Sequence, residues 1–228
     1  MMNSLRRFIE SVLVENAETV TTATTRGLAL FVRKRNAKHE FVLYDPGVAL
    51  KIAERYTKDI AMGYNDSSTF VDAMRGFIVT EKPQEGANCN GAHEVISSAA
   101  VSGFGPLMYD LAMSYSPALS SDRGSVSKSA EKVWQFYHDK RPDVKKLKFD
   151  DLNNPQTPPK EDDCYVYPHR DALNYAYVGS SANDSAALQQ KHVEWLVQLE
   201  KLGIDEKKAL SSLYSSGSKF FTLRYGED

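Results

Sequence analysis

The chain has 228 residues, a formal net charge of −2, and a content of 42% hydrophobic, 25% charged and 11% aromatic residues. This composition is typical of a globular protein with one substantial core, rather than of a disordered or a membrane protein. The small net charge provides no global field for nucleic acid, and no apolar run approaches the ~18 residues of a membrane span, so we expect a cytoplasmic protein without membrane contact.

The first part of the chain predicts its helices and strands from the spacing of apolar residues. Apolar positions at helical intervals predict a surface helix capped by Ser4, and two β-like runs around a basic turn predict a hairpin. In chain order, the predicted elements are a helix over 5–14, strands over 28–32 and 40–44, a helix over 48–60 and a strand over 74–80.

The remainder of the chain predicts a central strand that leads through a glycine turn into a helix, followed by further amphipathic helices. The predicted strands cover 93–101, 117–121 and 144–149, the last as an edge strand, and the predicted helices cover 107–113, 130–140, 185–202 and 205–214. We therefore divide the chain into an α/β core over 1–150, a polar, proline-containing connector over 151–183 and a helical C-terminal extension over 184–228. The extension is expected to pack on the core or on a partner.

The cysteines and histidines carry no recognisable metal or disulfide signature. Cys89 and Cys164 are the only cysteines, and both lie in polar, loop-like sequence. Two such thiols form neither a disulfide framework nor a zinc motif, so we predict that both are reduced. The five histidines show no pair at a helical ligand spacing, so we predict no metal site.

The most informative segment is the turn Ser102-Gly103-Phe104-Gly105-Pro106, which joins the central strand directly to a helix. The start of a helix presents free backbone N–H groups to an anion. Glycine allows the backbone to approach a phosphate closely, because no side chain stands between them. The turn therefore predicts a seat for a phosphate-bearing ligand.

Three runs follow one another around this turn, Gly103-Phe104-Gly105-Pro106-Leu107-Met108-Tyr109-Asp110, Ser121-Asp122-Arg123-Gly124-Ser125-Val126-Ser127 and Val133-Trp134-Gln135-Phe136-Tyr137. With the strand from Glu94, they resemble the Gcn5-related N-acetyltransferase (GNAT) superfamily. More narrowly, they look like small acetyltransferase-like proteins encoded by bacteriophages. The resemblance implies an α/β fold with a mixed central β-sheet flanked by helices, here with a C-terminal helical extension.

The resemblance also implies a cofactor, acetyl-CoA or a related acyl-coenzyme A. In this superfamily the pantetheine arm adds to the splayed end of the central strand, and the pyrophosphate lies on the amides of the following turn. By position, Val101 and Ser102 would pair with pantetheine, and Gly103, Phe104 and Gly105 would bind the pyrophosphate. Family members usually carry glutamine or arginine three residues before the first glycine, where this chain has Ala100.

Two residues take catalytic roles if the resemblance holds. Glu94 occupies the strand position where some members place a general base, and Tyr137 lies on the helix whose tyrosine protonates the departing thiolate in many members. Trp134, one turn earlier, is a second candidate for the tyrosine position. The alternatives are an edge carboxylate paired with lysine for Glu94 and a plain core aromatic for Tyr137.

A polar cluster after the strand over 117–121 provides candidate substrate-binding residues. Asp122, Arg123 and Ser125 would lie beside the splayed end of the central strand, and the guanidinium fork of Arg123 suits a carboxylate or a phosphate. The alternative is a helix cap with an Asp–Arg ion pair.

The predicted function is therefore transfer of an acetyl group from acetyl-coenzyme A to an amine on a protein or another phage-related target, in the cytoplasm of the host if the protein is phage-encoded. Two alternatives use the same scaffold. One is a non-catalytic phage binding module, a virion component or an inhibitor of a host protein, that docks through the apolar tail at Phe220, Phe221, Leu223 and Tyr225. The other is a DNA base modifier that binds nucleic acid through Lys145, Lys146 and Lys148.

Overall fold

A computed structural model describes residues 18–61, 70–83, 88–158, 160–179 and 185–225. The helices are α1 (Val20–Thr25), α2 (Pro46–Ala61), α3 (Gly105–Met113), α4 (Lys128–Lys140), α5 (Ala186–Lys201) and α6 (Glu206–Tyr225). The strands are β1 (Ala29–Arg35), β2 (Lys38–Tyr44), β3 (Met74–Glu81), β4 (His93–Ala100), β5 (Leu119–Ser121), β6 (Lys145–Lys148), β7 (Asp150–Asp151), β8 (Asp163–Cys164) and β9 (Tyr175–Val178). The helix predicted over 5–14 lies outside the described residues.

The protein has a mixed α/β architecture in which helices flank one large sheet. Seven strands form this sheet in the order β1-β2-β3-β4-β5-β9-β6, and β7 and β8 form a separate small sheet. All pairs in the large sheet are antiparallel except β4 with β5, which is parallel. The predicted hairpin is confirmed as β1 and β2, joined by a turn at Asn36 whose φ of 53° suits asparagine.

The segment predicted as a polar connector, 151–183, instead contributes a strand to the large sheet. Strand β9 lies between β5 and β6, pairing Tyr177 with Leu119 on one side and Lys146 with Tyr177 on the other. Ala176 and Tyr177 are completely buried. The division at residue 150 is therefore wrong, because the sheet is not complete until β9 has been added.

The two faces of the sheet are covered by different helices. Helices α3 and α4 bury one face with aromatic side chains such as Tyr109, Trp134 and Tyr137. Helices α2, α5 and α6 bury the other face, where Trp195 and Leu213 lie in the core. In the part of the chain that the structure describes, every helix is too short or too polar to cross a bilayer.

Cys89 and Cys164 form a disulfide, so the prediction of two reduced thiols is wrong. The bond joins the turn before β4 to β8, and both cysteines are completely buried. Backbone bonds support the same junction, with the Asn88 N–H donating to the Asp163 carbonyl at 3.2 Å and the Asn90 N–H to the Glu161 carbonyl at 2.6 Å. The disulfide thus fixes the polar segment before β9 against the entrance to β4.

Helix α6 is tied to the hairpin by a buried polar cluster. The Tyr214 hydroxyl donates to Glu40 Oε1 at 2.7 Å, and Arg33 Nε donates to Glu40 Oε2 at 2.5 Å. The Arg33 guanidinium also lies 3.3 Å from the centre of the Tyr214 ring. Since Glu40 is 5% exposed, its carboxylate depends on these two partners for the hydrogen bonds that water would otherwise provide.

We predict that Tyr214→Phe lowers the free energy of unfolding by about 2 kcal/mol, because one oxygen of the buried Glu40 carboxylate loses its donor. Urea unfolding of the two proteins measures the difference. The matched control is Tyr165→Phe, which removes the same hydroxyl from a side chain that is 50% exposed and should change stability by less than about 0.5 kcal/mol. An equal effect of both substitutions would contradict the role assigned to Glu40.

We also predict that replacing both cysteines by alanine lowers the free energy of unfolding by about 2–4 kcal/mol, because the bond closes a long loop whose freedom the unfolded chain then regains. The residues are 75 positions apart in the chain. Urea unfolding with and without reductant provides the measurement. The reductant should destabilise the natural chain and leave the double variant unchanged; two titratable thiols in the oxidised native protein would exclude the bond.

Candidate active site

Strands β4 and β5 part after a short stretch of pairing. The parallel register runs from His93 opposite Leu119 to Val95 opposite Ser121, where β5 ends. Strand β4 continues to Ala100, and its register with β3 skips Ile96, which forms a β-bulge. A gap therefore opens in the middle of the sheet, with the second half of β4 as one wall.

The alternation of hydrogen bonds along β4 shows which residues face this gap. The Val101 N–H donates to the Arg75 carbonyl on the β3 side at 2.9 Å. Residues of an antiparallel pair bond to the partner strand alternately, so the backbone groups of Ser98 and Ala100 point away from β3, into the gap. The Val101 N–H therefore faces β3 and not the gap, which contradicts the predicted pairing of Val101 with pantetheine. Ser102 lies in the turn beyond the strand.

The glycine turn has the predicted shape but offers fewer amides than predicted. Gly103 has a φ of 87°, a conformation that favours glycine. The Phe104 N–H donates to the Val101 carbonyl at 3.0 Å, and the Phe104 ring is 4% exposed, so this residue is a part of the turn and the core, not an anion ligand. Gly105 begins α3, where the amides of a first helical turn point outward along the axis.

A second helix starts at the same place. Ser129 and Ala130, in the first turn of α4, line the same small cavity as Gly105 and Ala100, with a volume of about 40 Å³. The Ser127 hydroxyl caps α4 by accepting from the Ala130 N–H at 3.2 Å. The positive ends of two helix dipoles thus meet beside the end of β4, which favours an anion there.

Two larger cavities lie along the gap. The larger cavity, of about 650 Å³, is lined by residues that include Glu94, Glu81 and Tyr165. The cavity that we call the smaller cavity, of about 140 Å³, is lined by residues that include Ser98, Tyr109 and Ser125. Ile96 and Asp122 line both cavities and therefore mark their boundary.

Glu94 lies in the larger cavity, in a position that suits a base. Burial raises the pKa of its carboxyl group; the backbone N–H of Arg123, which donates to Oε2 at 3.4 Å, lowers it, and the carboxylates of Asp122 and Glu81 raise it. Glu81 lies directly opposite on β3, and its own ion pair is with Lys38 at 3.2 Å. The lysine partner that the alternative interpretation requires belongs to Glu81 instead.

Tyr137 does not reach any of the three cavities, and its predicted role as an acid is wrong. The side chain is completely buried, with its hydroxyl 2.6 Å from Asp110 Oδ1 and 2.8 Å from the Pro106 carbonyl. Burial raises its pKa, as does the neighbouring Asp110 carboxylate, to which Arg141 is also bonded. The aromatic residues that line the smaller cavity are Tyr109, Trp134 and Phe221.

Arg123 is also used differently from the prediction. Its guanidinium donates to the carbonyls of Ser121 at 2.9 Å, Tyr165 at 3.0 Å and Leu173 at 2.8 Å, and to the Ser121 hydroxyl. These bonds use four of the five donors of the group. The guanidinium therefore holds the exit of β5 to the segment before β9, and the hydrogen bond from Arg123 to Glu94 comes from its backbone N–H.

Asp122 and Ser125 remain at the cavities, as predicted. Asp122 Oδ1 accepts from the N–H groups of Gly124 at 2.5 Å and Ser125 at 3.1 Å, which closes a tight turn. The turn carries the chain from β5 to the cap of α4. It therefore fixes one wall of both cavities with the chain's own hydrogen bonds.

Sequence reasoning missed several residues that line the cavities, and their signals are weak. Ile96 appears in the sequence as an ordinary strand residue, since only the register with β3 shows the bulge. Tyr109 lies in one of the three runs that carry the resemblance, but only the folded chain places its hydroxyl 3.0 Å from Ser98 Oγ. Tyr165 lies in the supposed connector, and Phe221 comes from the far end of the chain.

The comparisons with known proteins add no assignment. No protein-family model matches the sequence, and no curated protein or solved structure is significantly similar to it. The likeness to acetyltransferases therefore depends on the motif residues, and the interpretation of the site depends on its geometry.

Proposed function

We propose that the protein is a GNAT-like N-acyltransferase that moves an acyl group from acyl-coenzyme A to an amine. The observation that carries the proposal is the gap between β4 and β5, with a cavity on each side of Ile96 and a half-buried carboxylate, Glu94, in the larger one. This arrangement offers separate places for an acyl donor and an acceptor, which meet at one boundary. Such convergence of polar groups on an apolar cleft is the usual form of a small-molecule site.

The residues at the gap suit the donor that the motifs imply. The backbone groups of Ser98 and Ala100 are placed to pair with an extended amide-containing arm, as the edge of a sheet pairs with an added strand. The first turns of α3 and α4, at Gly105 and Ser129, are placed to bind phosphate. The bound thioester supplies an activated carbonyl carbon and a thiolate leaving group.

The chain's own side chains then provide the proton transfers. Glu94 accepts a proton from the ammonium of the acceptor in the larger cavity, and the neutral nitrogen forms a bond to the thioester carbon as the carbon–sulfur bond breaks. The Tyr109 hydroxyl, which lines the smaller cavity beside Ser98, donates a proton to the sulfur, and the second proton that the nitrogen loses as the amide forms restores the hydroxyl. The products are an amide and the free thiol.

The acceptor is a cationic amine, because the residues that line the larger cavity carry three carboxylates, those of Glu81, Glu94 and Asp122, against two positive groups, those of Lys82 and Arg123. Tyr165, half exposed at the same cavity, adds an aromatic surface. We propose a protein or another phage-related molecule as the source of the amine. Absence of acyl-coenzyme A binding in calorimetry would instead favour the non-catalytic binding module.

We predict that Gly105→Glu abolishes binding of acetyl-coenzyme A without unfolding the chain. A carboxylate at the first position of α3 would repel the pyrophosphate, whereas a side chain fits sterically, since the nearest atom to an added Cβ is Val133 Cγ2 at 3.8 Å. Isothermal titration calorimetry measures the affinity. The matched control, Gly105→Ala, adds bulk without charge and should retain most of the affinity; unchanged binding by the glutamate variant would refute this seat.

We predict that Glu94→Gln slows acyl transfer by about 10²–10⁴-fold. The loss should be largest at pH values between the raised pKa of this carboxyl group and the pKa of the amine, about 10.4. A base is needed only while the amine is protonated, so the loss should shrink as the pH rises toward 10. Turnover measured from pH 6 to pH 10 shows the profile. Glu81→Gln removes a carboxylate from the same cavity; it should keep the shape of the profile and move its acidic limb to lower pH, because the Glu81 carboxylate raises the pKa of Glu94. An equal loss by Glu94→Gln at every pH would identify a structural carboxylate.

A further inference from the structure

Helices on opposite faces of the large sheet both contribute residues to the lining of the smaller cavity. Tyr109 and Trp134 approach it from the side of α3 and α4, and Phe221 approaches it from α6 on the other face of the sheet. The bulged residue Ile96 separates it from the larger cavity. An acyl group held at the boundary would therefore extend into a pocket whose far wall is a phenylalanine ring.

The position of Phe221 is set by the close approach of α6 to the sheet. Gly217, one turn earlier, lies against Phe77 of β3, where an added Cβ would be 2.7 Å from the ring atom Cδ2. A larger residue would require the Phe77 ring or the helix to shift, so glycine allows α6 to pack closely on β3 and β4. Phe221 lies four residues after Gly217, on the same face of the helix, and lines the smaller cavity.

The volume of this cavity limits what it can hold. It measures about 140 Å³. A cavity of roughly 150 Å³ accommodates a ligand the size of benzene, with about six non-hydrogen atoms. A thioester sulfur, a carbonyl oxygen and an acyl chain of about two to four carbons reach this number.

We propose that Phe221 sets the acyl-chain specificity of this protein, so that the donor is a short-chain acyl thioester of about two to four carbons. This inference depends on the proposed function, because it concerns the donor of the same reaction. A longer chain meets the Phe221 ring, so its additional methylenes gain no buried contact in the pocket unless the ring or α6 moves. Removal of the ring opens the pocket toward the α6 face.

The test measures dissociation constants of free coenzyme A and of acetyl-, butyryl- and octanoyl-coenzyme A by calorimetry. In the natural chain, octanoyl-coenzyme A should bind no more tightly than butyryl-coenzyme A. In Phe221→Ala, octanoyl-coenzyme A should bind at least about tenfold more tightly than butyryl-coenzyme A, since each buried methylene adds roughly fourfold in affinity. Phe221→Leu keeps an apolar side chain that supports folding and should give a smaller shift in the same direction.

Leu210→Ala is the matched control, because Leu210 lies on the same face of α6, is partly buried against the same core and does not line the cavity. It should leave the ratio of octanoyl to butyryl affinity unchanged. The same ratio in the natural chain and both Phe221 variants overturns the inference while the proposed function stands. If none of the four probes binds the natural chain, the proposed function fails and the inference fails with it.

Discussion

The parting of β4 from β5 after Val95 is the constraint on which the rest of the structure depends. A strand edge in the middle of a sheet leaves backbone donors and acceptors without partners, and this is unfavourable unless water or a ligand satisfies them. The chain keeps the edge open by its own bonds. The Arg123 guanidinium ties the exit of β5 to the carbonyls of Leu173 and Tyr165, and the Asp122 turn directs the chain toward α4, so β5 has no residues left to continue beside β4.

The same bonds determine the electrostatics at the gap. The Arg123 guanidinium donates to backbone carbonyls, and the hydrogen bond of this residue to Glu94 comes from its backbone N–H. Burial therefore dominates over ion pairing at Glu94, and the pKa of its carboxyl lies above the usual value. A carboxyl group whose pKa is shifted toward neutrality exchanges protons with an amine more readily than a fully solvated one. The structural role of Arg123 and the role we propose for Glu94 as a base thus arise from one arrangement.

The strands and helices with long apolar patterns were predictable from the sequence, and the pairing between distant segments was not. The hairpin of β1 and β2, the central strand β4 and helix α4 with its Ser127 cap have local signals, and the structure confirms them. Strand β9 has four residues inside a polar, proline-containing region, so its burial between β5 and β6 follows only from tertiary packing. The disulfide is likewise a contact between distant positions, which cysteine spacing alone does not reveal.

The candidate site shows the same limit at the level of single residues. Glu94, Asp122 and Gly105 were predicted because their positions in β4 and the two turns are fixed by local sequence. Tyr137 and Arg123 have side chains with the right chemistry, but a tyrosine or an arginine also satisfies buried acceptors, and both are used in this way. Val101 was assigned to the gap because sequence does not give the phase of hydrogen bonding along a strand, which changes with every residue.

The last helix completes the site rather than merely covering the core. Without α6, the smaller cavity would lose the wall that Phe221 provides. The hydrogen bond from Tyr214 to Glu40 and the close contact of Gly217 with Phe77 hold this helix against the sheet. Because the removal of water from a cleft strengthens electrostatic interactions and protects a thioester, the chemistry we propose at β4 depends on residues more than a hundred positions later in the chain.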